Sequence, residues 1–243
     1  MASDVVRFAL SSDTSPTSVK QTTEDGFRNL WEGLGTLERE MTPPRKFRVV
    51  LFGSARVLKT DPVYAKYRQL GFEIGRRRIG GVTGGGPSLM EAFNEGIVAG
   101  WASIGEQQGF SHGVCIQQIN RDEPPNSYLR QAYQHKHVLT RLHQFVRLGY
   151  WGAIILAEKG GYGSDLEKAI MHQLLQFGQL NVPLIGVGPM WAERKAWEKK
   201  WIIDQGLADA RDADFLQCVP EAMDALPIVF EAHARYKAAK AVG

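Results

Sequence analysis

A chain of 243 residues with 29 Lys and Arg against 26 Asp and Glu carries a formal net charge of +3, with no basic block to argue for a nucleic-acid partner. Its only cysteines, Cys115 and Cys218, lack CxxC spacing, which argues against a disulfide framework or zinc site and for a reducing, cytoplasmic setting. The N-terminal sequence MASDVVRFALSSDTSPTS has no long apolar core and reads as no signal peptide, and no stretch approaches the length needed to cross a membrane.

Residues 1–20, rich in Ser, Thr and Asp, predict a mobile arm. Over 22–41 Phe27, Leu30, Trp31, Leu34 and Leu37 recur at helical spacing, and Thr42-Pro43-Pro44 ends that helix as a hinge. Beyond it, short apolar strands alternate with amphipathic helices. A strand is expected over 47–52 (FRVVLF), then a helix over 61–78 with Asp61-Pro62 as cap and first-turn pair. A strand leads to Thr83, and a glycine loop opens a helix over 87–99. Strands follow at 113–117 and 135–139, then a helix at 140–150 and the fully apolar strand 152–157 (GAIILA). A second glycine loop opens a helix at 164–177. The strand 183–187, the helix 191–205, the strand 215–219 and a helix at 220–239 complete the chain.

This alternation predicts an α/β fold: a Rossmann-like three-layer sandwich with a central parallel sheet and an N-terminal helical extension. The expected division is 1–44 as arm and helix and 45–243 as a nucleotide-binding domain. In such sheets ligands sit outside the carboxyl ends of the strands, where both glycine loops fall.

The first loop is GGVTGGGPSLME (80–91) and the second KGGYGSDLE (159–167). Bare backbone at a helix start offers unpaired N–H donors and the positive end of the helix dipole, a setting for phosphate. The first loop fits neither the dinucleotide pattern G-x-G-x-x-G nor the P-loop, so NAD binding and ATP hydrolysis are poor readings. Gly85, Gly86 and Ser88 are placed to present N–H groups to an oxyanion, though glycines in a tight turn explain the first loop equally well. In the second, Ser164 and Glu167 have the spacing of a capping box. Glu167 therefore either stabilises its own helix or faces a cleft as an acid, base or cation stabiliser. Arg141, at the start of the preceding helix, is its natural counterpart. Ser54 follows the first strand without a G-x-S-x-G elbow, which suits ligand contact better than nucleophilic attack. His135, His137 and His143 have no acidic or Cys partner at metal spacing, so no metal is expected. Trp191, Trp197 and Trp201 fall at near-helical spacing and fit core or subunit interface better than base stacking.

The run TGGGPSLMEAFNEG resembles the T-G-G-G-P-x-x-M-E-A segment of the LOG family of nucleoside 5′-monophosphate phosphoribohydrolases. The second loop is similar to the family's P-G-G-x-G-T-x-x-E signature, and Gly53-Ser54-Ala55-Arg56 to its G-S-x-R segment. The resemblance spans about 47–219 and implies hydrolysis of the N-glycosidic bond of a nucleoside monophosphate such as AMP, without a cofactor. It implies Arg141 and Glu167 as the catalytic pair, with Arg141 holding Glu167 ionised. Gly85, Gly86, Gly161, Gly163 and Ser164 would hold the 5′-phosphate, and Ser54 and Glu91 would contact substrate. A homodimer or larger homo-oligomer is implied as well.

The sequence departs from the pattern at three places: Lys159 stands for the signature proline, Ser164 for threonine, and Leu142 for the lysine that commonly follows the catalytic arginine. The rival reading is a non-catalytic carrier of a nucleotide or a phosphorylated cofactor such as molybdenum cofactor. A pyridoxal-dependent decarboxylase, a label some relatives carry, would need a Schiff-base lysine, for which only Lys159 offers itself. The loops 101–112 and 120–134 are the expected pocket loops.

Overall fold

A computed structural model gives the fold and describes residues 17, 20, 21, 23–25, 46–106, 109–117 and 124–242. The expected arm and the helix at 22–41 lie outside these residues, apart from helical positions 17, 20, 21 and 23–25. The chain divides into two compact units, Met1–Pro43 and Pro44–Gly243.

Among the described residues the second unit holds a seven-stranded, all-parallel sheet in the order β4-β3-β2-β1-β5-β6-β7. The strands are β1 (Arg48–Phe52), β2 (Gly80–Thr83), β3 (Ser111–Ile116), β4 (Gln131–His135), β5 (Ala153–Leu156), β6 (Leu184–Val187) and β7 (Leu216–Val219). The helices between and after them are α1 (Pro62–Gly75), α2 (Leu89–Ala102), α3 (Val138–Gly149), α4 (Tyr162–Gln176), α5 (Pro189–Glu198) and α6 (Ala225–Val242). The fold is the Rossmann-like α/β sandwich that the alternation predicts.

Because strands buried on both faces favour continuous apolar runs, β1 reads VVLF without alternation after its first residue, Arg48. Val49 and Leu51 join a core with α1, α2 and α6, which includes Tyr67, Phe93 and Val229. Val50 and Phe52 face the other way, against Phe145, Met171 and Trp191 of α3, α4 and α5. Helices α1 and α2 pack with their backbones in contact. A Cβ on Gly96 would run into the Arg68 carbonyl oxygen, and one on Gly71 into that of Phe93.

Three boundaries differ from expectation for physical reasons. The strand expected at 135–139 lies at Gln131–His135, an edge strand of polar sequence QAYQH paired only with β3. Val138 and Leu139, whose apolar character suggested a strand, instead begin α3 and are exposed. Helix α4 starts at Tyr162 with Gly161 as N-cap, and Asp165 N–H donates to the Gly161 carbonyl at 3.0 Å. Ser164 is thus one turn inside the helix, and its spacing to Glu167 makes no capping box. The helix expected over 191–205 is α5 followed by a π-helical turn, Lys199–Ile203. The cap at Asp61 forms as expected: its Oδ1 accepts from Val63 N–H at 3.0 Å, with Pro62 opening α1.

Candidate active site

The chain runs outward from β1 to β4 on one side, then returns to place β5 beside β1. The carboxyl ends of β1 and β5 therefore diverge into loops that leave opposite faces, and a crevice opens between them. A cavity of about 1010 Å³ lies there, lined by residues 51–56 at and beyond the end of β1, Gly84 after β2, residues 160–165 and Glu167 after β5, and residues of α5 after β6.

Within its wall, Arg141 Nη1 stands 3.3 Å from Glu167 Oε1. Arg141 lies in the first turn of α3 and Glu167 in the second turn of α4, so the pair joins the helices before and after β5. The guanidinium is held on further sides: Nε donates to the Val114 carbonyl at 2.9 Å, and Cζ lies 5.0 Å from the centre of the Phe145 ring. Gly84 leaves it room, since a Cβ there would fall 2.5 Å from Arg141 Nη2 and 2.8 Å from Met90 Sδ. Glu167 is almost fully buried, and burial pushes its pKa up to about 7, against the opposing pull of Arg141. Arg141 favours the ionised form of Glu167, the direction the resemblance implies, but desolvation outweighs this one neighbouring cation. A carboxyl group poised near neutrality in a crevice can exchange protons with a substrate or a water.

The start of α4 forms the polar end of the cavity. Gly161, Gly163 and Ser164 line it, and the first-turn N–H groups of a helix have no acceptor within that helix. A Cβ on Gly161 or Gly163 would meet nothing within 4 Å, so no protein neighbour requires glycine at either position. What the missing side chains leave is open approach from the cavity to the N–H groups and to the positive end of the helix. Ser164 is buried beneath them. Tyr162 stands almost fully exposed at the rim.

The first loop is arranged differently from expectation. Gly85 N–H donates to Thr83 Oγ1 at 3.0 Å, and the Gly85 and Gly86 carbonyls accept from Asn126 Nδ2 at 3.1 and 3.0 Å. Asn94 extends this network, accepting from Thr83 Oγ1 at 2.7 Å and donating to Ser111 Oγ at 2.8 Å. The loop thus closes on buried polar partners. Gly85, Gly86 and Ser88 do not line the cavity; Gly84 does, as the floor beneath Arg141. Glu91 also lies outside the lining and pairs with Lys59 Nζ at 2.7 Å. Ser54 does line it, with Oγ accepting from Arg56 N–H at 3.1 Å and its own N–H donating to the Lys159 carbonyl at 2.9 Å.

Lys159 Nζ reaches Asp61 Oδ2 at 2.6 Å, away from the cavity, and so offers neither a phosphate cation nor a Schiff-base site there. Leu142 is buried in the core. Trp191 is fully buried, with its indole N–H on the Ala157 carbonyl at 2.8 Å, whereas Trp197 and Trp201 are half exposed. Among the described residues no three His, Cys, Asp or Glu side chains gather as metal ligands. Of the expected pocket loops, 107–108 and 120–123 lie outside the described residues.

Several lining residues carry no sequence motif. Arg194 of α5 reaches Asp165 Oδ1 at 3.5 Å and Glu198 Oε1 at 3.2 Å, and lies 5.2 Å from the Trp197 ring centre. Glu198 also pairs with the buried Lys168. The usable signal was positional: α5 follows a strand next to the crevice, so its first turns had to face it.

No family model matches the chain. Over 144 residues, 58% of this chain and 31% of the relative, it is 30% identical to the pyrimidine/purine nucleotide 5′-monophosphate nucleosidase of Escherichia coli K12. The chain thus spans less than a third of the length of the curated relatives it matches. Its fold is similar to the molybdenum cofactor binding protein of Rippkaea orientalis, at 15% identity and a TM-score of 0.54 over 76% of this chain and 96% of that one. It is similar also to the molybdenum cofactor carrier protein of Chlamydomonas reinhardtii, at 13% identity and a TM-score of 0.54 over 78% and 99%. A structural-genomics target matches at 17% identity and a TM-score of 0.52 over 76% and 99%. At these identities the likeness carries the fold.

Proposed function

We propose that this chain, whose sequence and fold support a LOG-like family, hydrolyses the N-glycosidic bond of nucleoside 5′-monophosphates to free base and ribose 5-phosphate. The observation that carries the reading is Glu167, buried in the crevice against Arg141 and one helical turn beyond the open N–H groups of α4. Three residues of helix rise about 5 Å, so an anion held at Gly161, Gly163 and Ser164 sits beside the carboxyl group.

In this reading the helix start binds the 5′-phosphate and fixes the ribose between it and Glu167. As the C1′–N bond lengthens, positive charge develops on the ribose, and ionised Glu167 stabilises it. Water adds to C1′ as the C1′–N bond breaks, its proton passes to Glu167, and Glu167 hands a proton on to the departing base and returns to its ionised form. A pKa near 7 suits a group that must act in both forms. Arg141 orients Glu167 and the ribose hydroxyls, and Ser54 forms part of the wall. Trp197 and Met190 give the cavity an apolar side suited to a purine such as that of AMP. We place this activity in the cytoplasm, in a homo-oligomer to which Trp201, Tyr150 and Trp151 contribute exposed apolar surface.

The carrier reading keeps a foothold in Leu142 and Lys159, which supply no cation to the cavity. Comparing AMP with adenosine tests the proposal. AMP is expected to be cleaved and adenosine, lacking the phosphate handle, not. Equal turnover of both, or of neither, overturns it.

A further inference from the structure

At the amino ends of the strands, opposite the crevice, lies a second cleft of about 210 Å³ around the first residue of β1. Its lining includes Lys46, Arg48, Arg78, His233 and Lys240, set among Phe47, Phe110 and Tyr236, and contains no acidic residue among the described residues. Arg48 is the telling member. It is only 6% exposed, yet its Nε and Nη1 have no hydrogen-bond partner among the described residues. A buried guanidinium is strongly unfavourable unless something pairs with it. Burial pulls the Arg48 pKa down, with Tyr133 and Tyr236 opposing and Arg147 adding like charge, and none of these neighbours is a carboxylate.

His112, stacked between Phe110 and Tyr133, is pushed down to about 4 by burial and then by Arg48 and Lys46. Lys46 lies over the Phe110 ring at 4.6 Å, and neither it nor Lys240 has a carboxylate partner among the described residues. Arg78 is already paired, with Glu106 at 3.1 Å. Two unpartnered guanidinium N–H groups, with the ammonium groups of Lys46 and Lys240 beside them, suit an anion that carries several oxygens, such as a phosphate dianion.

We propose that this cleft is a second anion site, built to take the phosphate group of a compact ligand on Arg48, with Lys46 and Lys240 closing over it. Its volume lies below the roughly 300–1,000 Å³ of sites that enclose drug-sized molecules, so it takes free phosphate or a small phosphate ester rather than a whole nucleotide. The site is separate from the crevice that holds Glu167. Arg48 begins β1 and Gly53 follows its end, roughly 16 Å away at strand rise.

The test uses the full chain with labelled histidines, titrated in phosphate-free buffer with inorganic phosphate and, separately, with glucose 6-phosphate. The ring signals of His112 and His233, which flank the cleft, report occupancy there. One or both ligands are expected to shift these signals, and the tighter of the two identifies the source. Arg48→Met, which keeps the length of the side chain without its charge, is expected to abolish the shift. Lys240→Ala, an exposed change that carries the test if Arg48→Met fails to fold, is expected to weaken binding about three- to tenfold. Arg141→Ala, in the other cavity, is expected to leave the shift intact. No shift with either ligand overturns the proposal. So does a shift that survives both Arg48→Met and Lys240→Ala, or one that disappears with Arg141→Ala.

Discussion

Arg141 Nη1 and Glu167 Oε1 stand 3.3 Å apart on the two helices that flank β5, and this pair sets the electrostatics of the crevice. Burial raises the carboxyl group and the guanidinium opposes it, so both protonation states of Glu167 are accessible near neutrality.

One consequence concerns stability. The Glu167 pKa lies at 4.5 in the unfolded chain and about 7 in the fold, so between these values the folded chain keeps a proton that the unfolded chain has lost. The contribution of Glu167 is therefore full below pH 4.5 and is lost as pH rises through about 7, by on the order of 3 kcal/mol. Glu167→Gln is expected to remove this fall. Denaturant unfolding of both proteins across that pH window checks it, and a parallel decline in the variant would refute the assignment.

A second consequence concerns Arg141→Lys. One lysine ammonium cannot reach the Val114 carbonyl and Glu167 while also keeping the guanidinium's place over the Phe145 ring. The substitution is expected to lower kcat by about a hundredfold or more with the fold retained. Arg141→Ala should also move the acidic limb of the pH–rate profile to higher pH, since the group that pulls Glu167 down is gone. A pH–rate comparison of the three proteins measures both effects.

Gly84→Ala separates activity from stability. The new Cβ meets only the ends of two flexible side chains, Arg141 Nη2 at 2.5 Å and Met90 Sδ at 2.8 Å. Those ends can shift, so the melting temperature should change little. The guanidinium must move, however, and kcat should fall about tenfold or more. Loss of stability with catalysis intact would show that Gly84 serves the turn instead.

Ser88 offers a stabilising change. It caps α2 with φ at +69° and ψ at −128°, a conformation that favours glycine, and its buried Oγ has no hydrogen-bond partner among the described residues. Ser88→Gly relieves the strain and the unpaired hydroxyl but loosens the unfolded chain. A net gain of about 1 kcal/mol is expected, read as a higher urea midpoint with unchanged slope.

Strand and helix alternation and both glycine loops were legible in the sequence because burial on both faces leaves continuous apolar runs and sharp breaks. The edge strand Gln131–His135 was not, since one paired side and polar residues give no apolar signal. Motif spacing pointed to Gly85 and Gly86 as phosphate donors, yet neither lines the cavity, the Gly85 N–H is taken by Thr83, and both carbonyls accept from Asn126. Asn126 lies about forty residues further on, and local pattern carries no information about such a partner. The ambiguity of Glu167 had the same origin: the capping-box spacing is local, whereas the N-cap at Gly161 and the ion pair with Arg141 depend on β5 lying beside β1. Arg48 escaped notice because a basic residue opening a strand is ordinarily solvated. Only the surrounding helices and strands show that it is buried without a partner.

The most direct test of the central claim is to incubate wild-type protein and Glu167→Gln side by side with AMP and quantify adenine and ribose 5-phosphate. The wild type is expected to release both in equal amounts, and Glu167→Gln to bind AMP while releasing at least about a hundredfold less. Undiminished release from Glu167→Gln, or AMP bound by the wild type without release of either product, would contradict it.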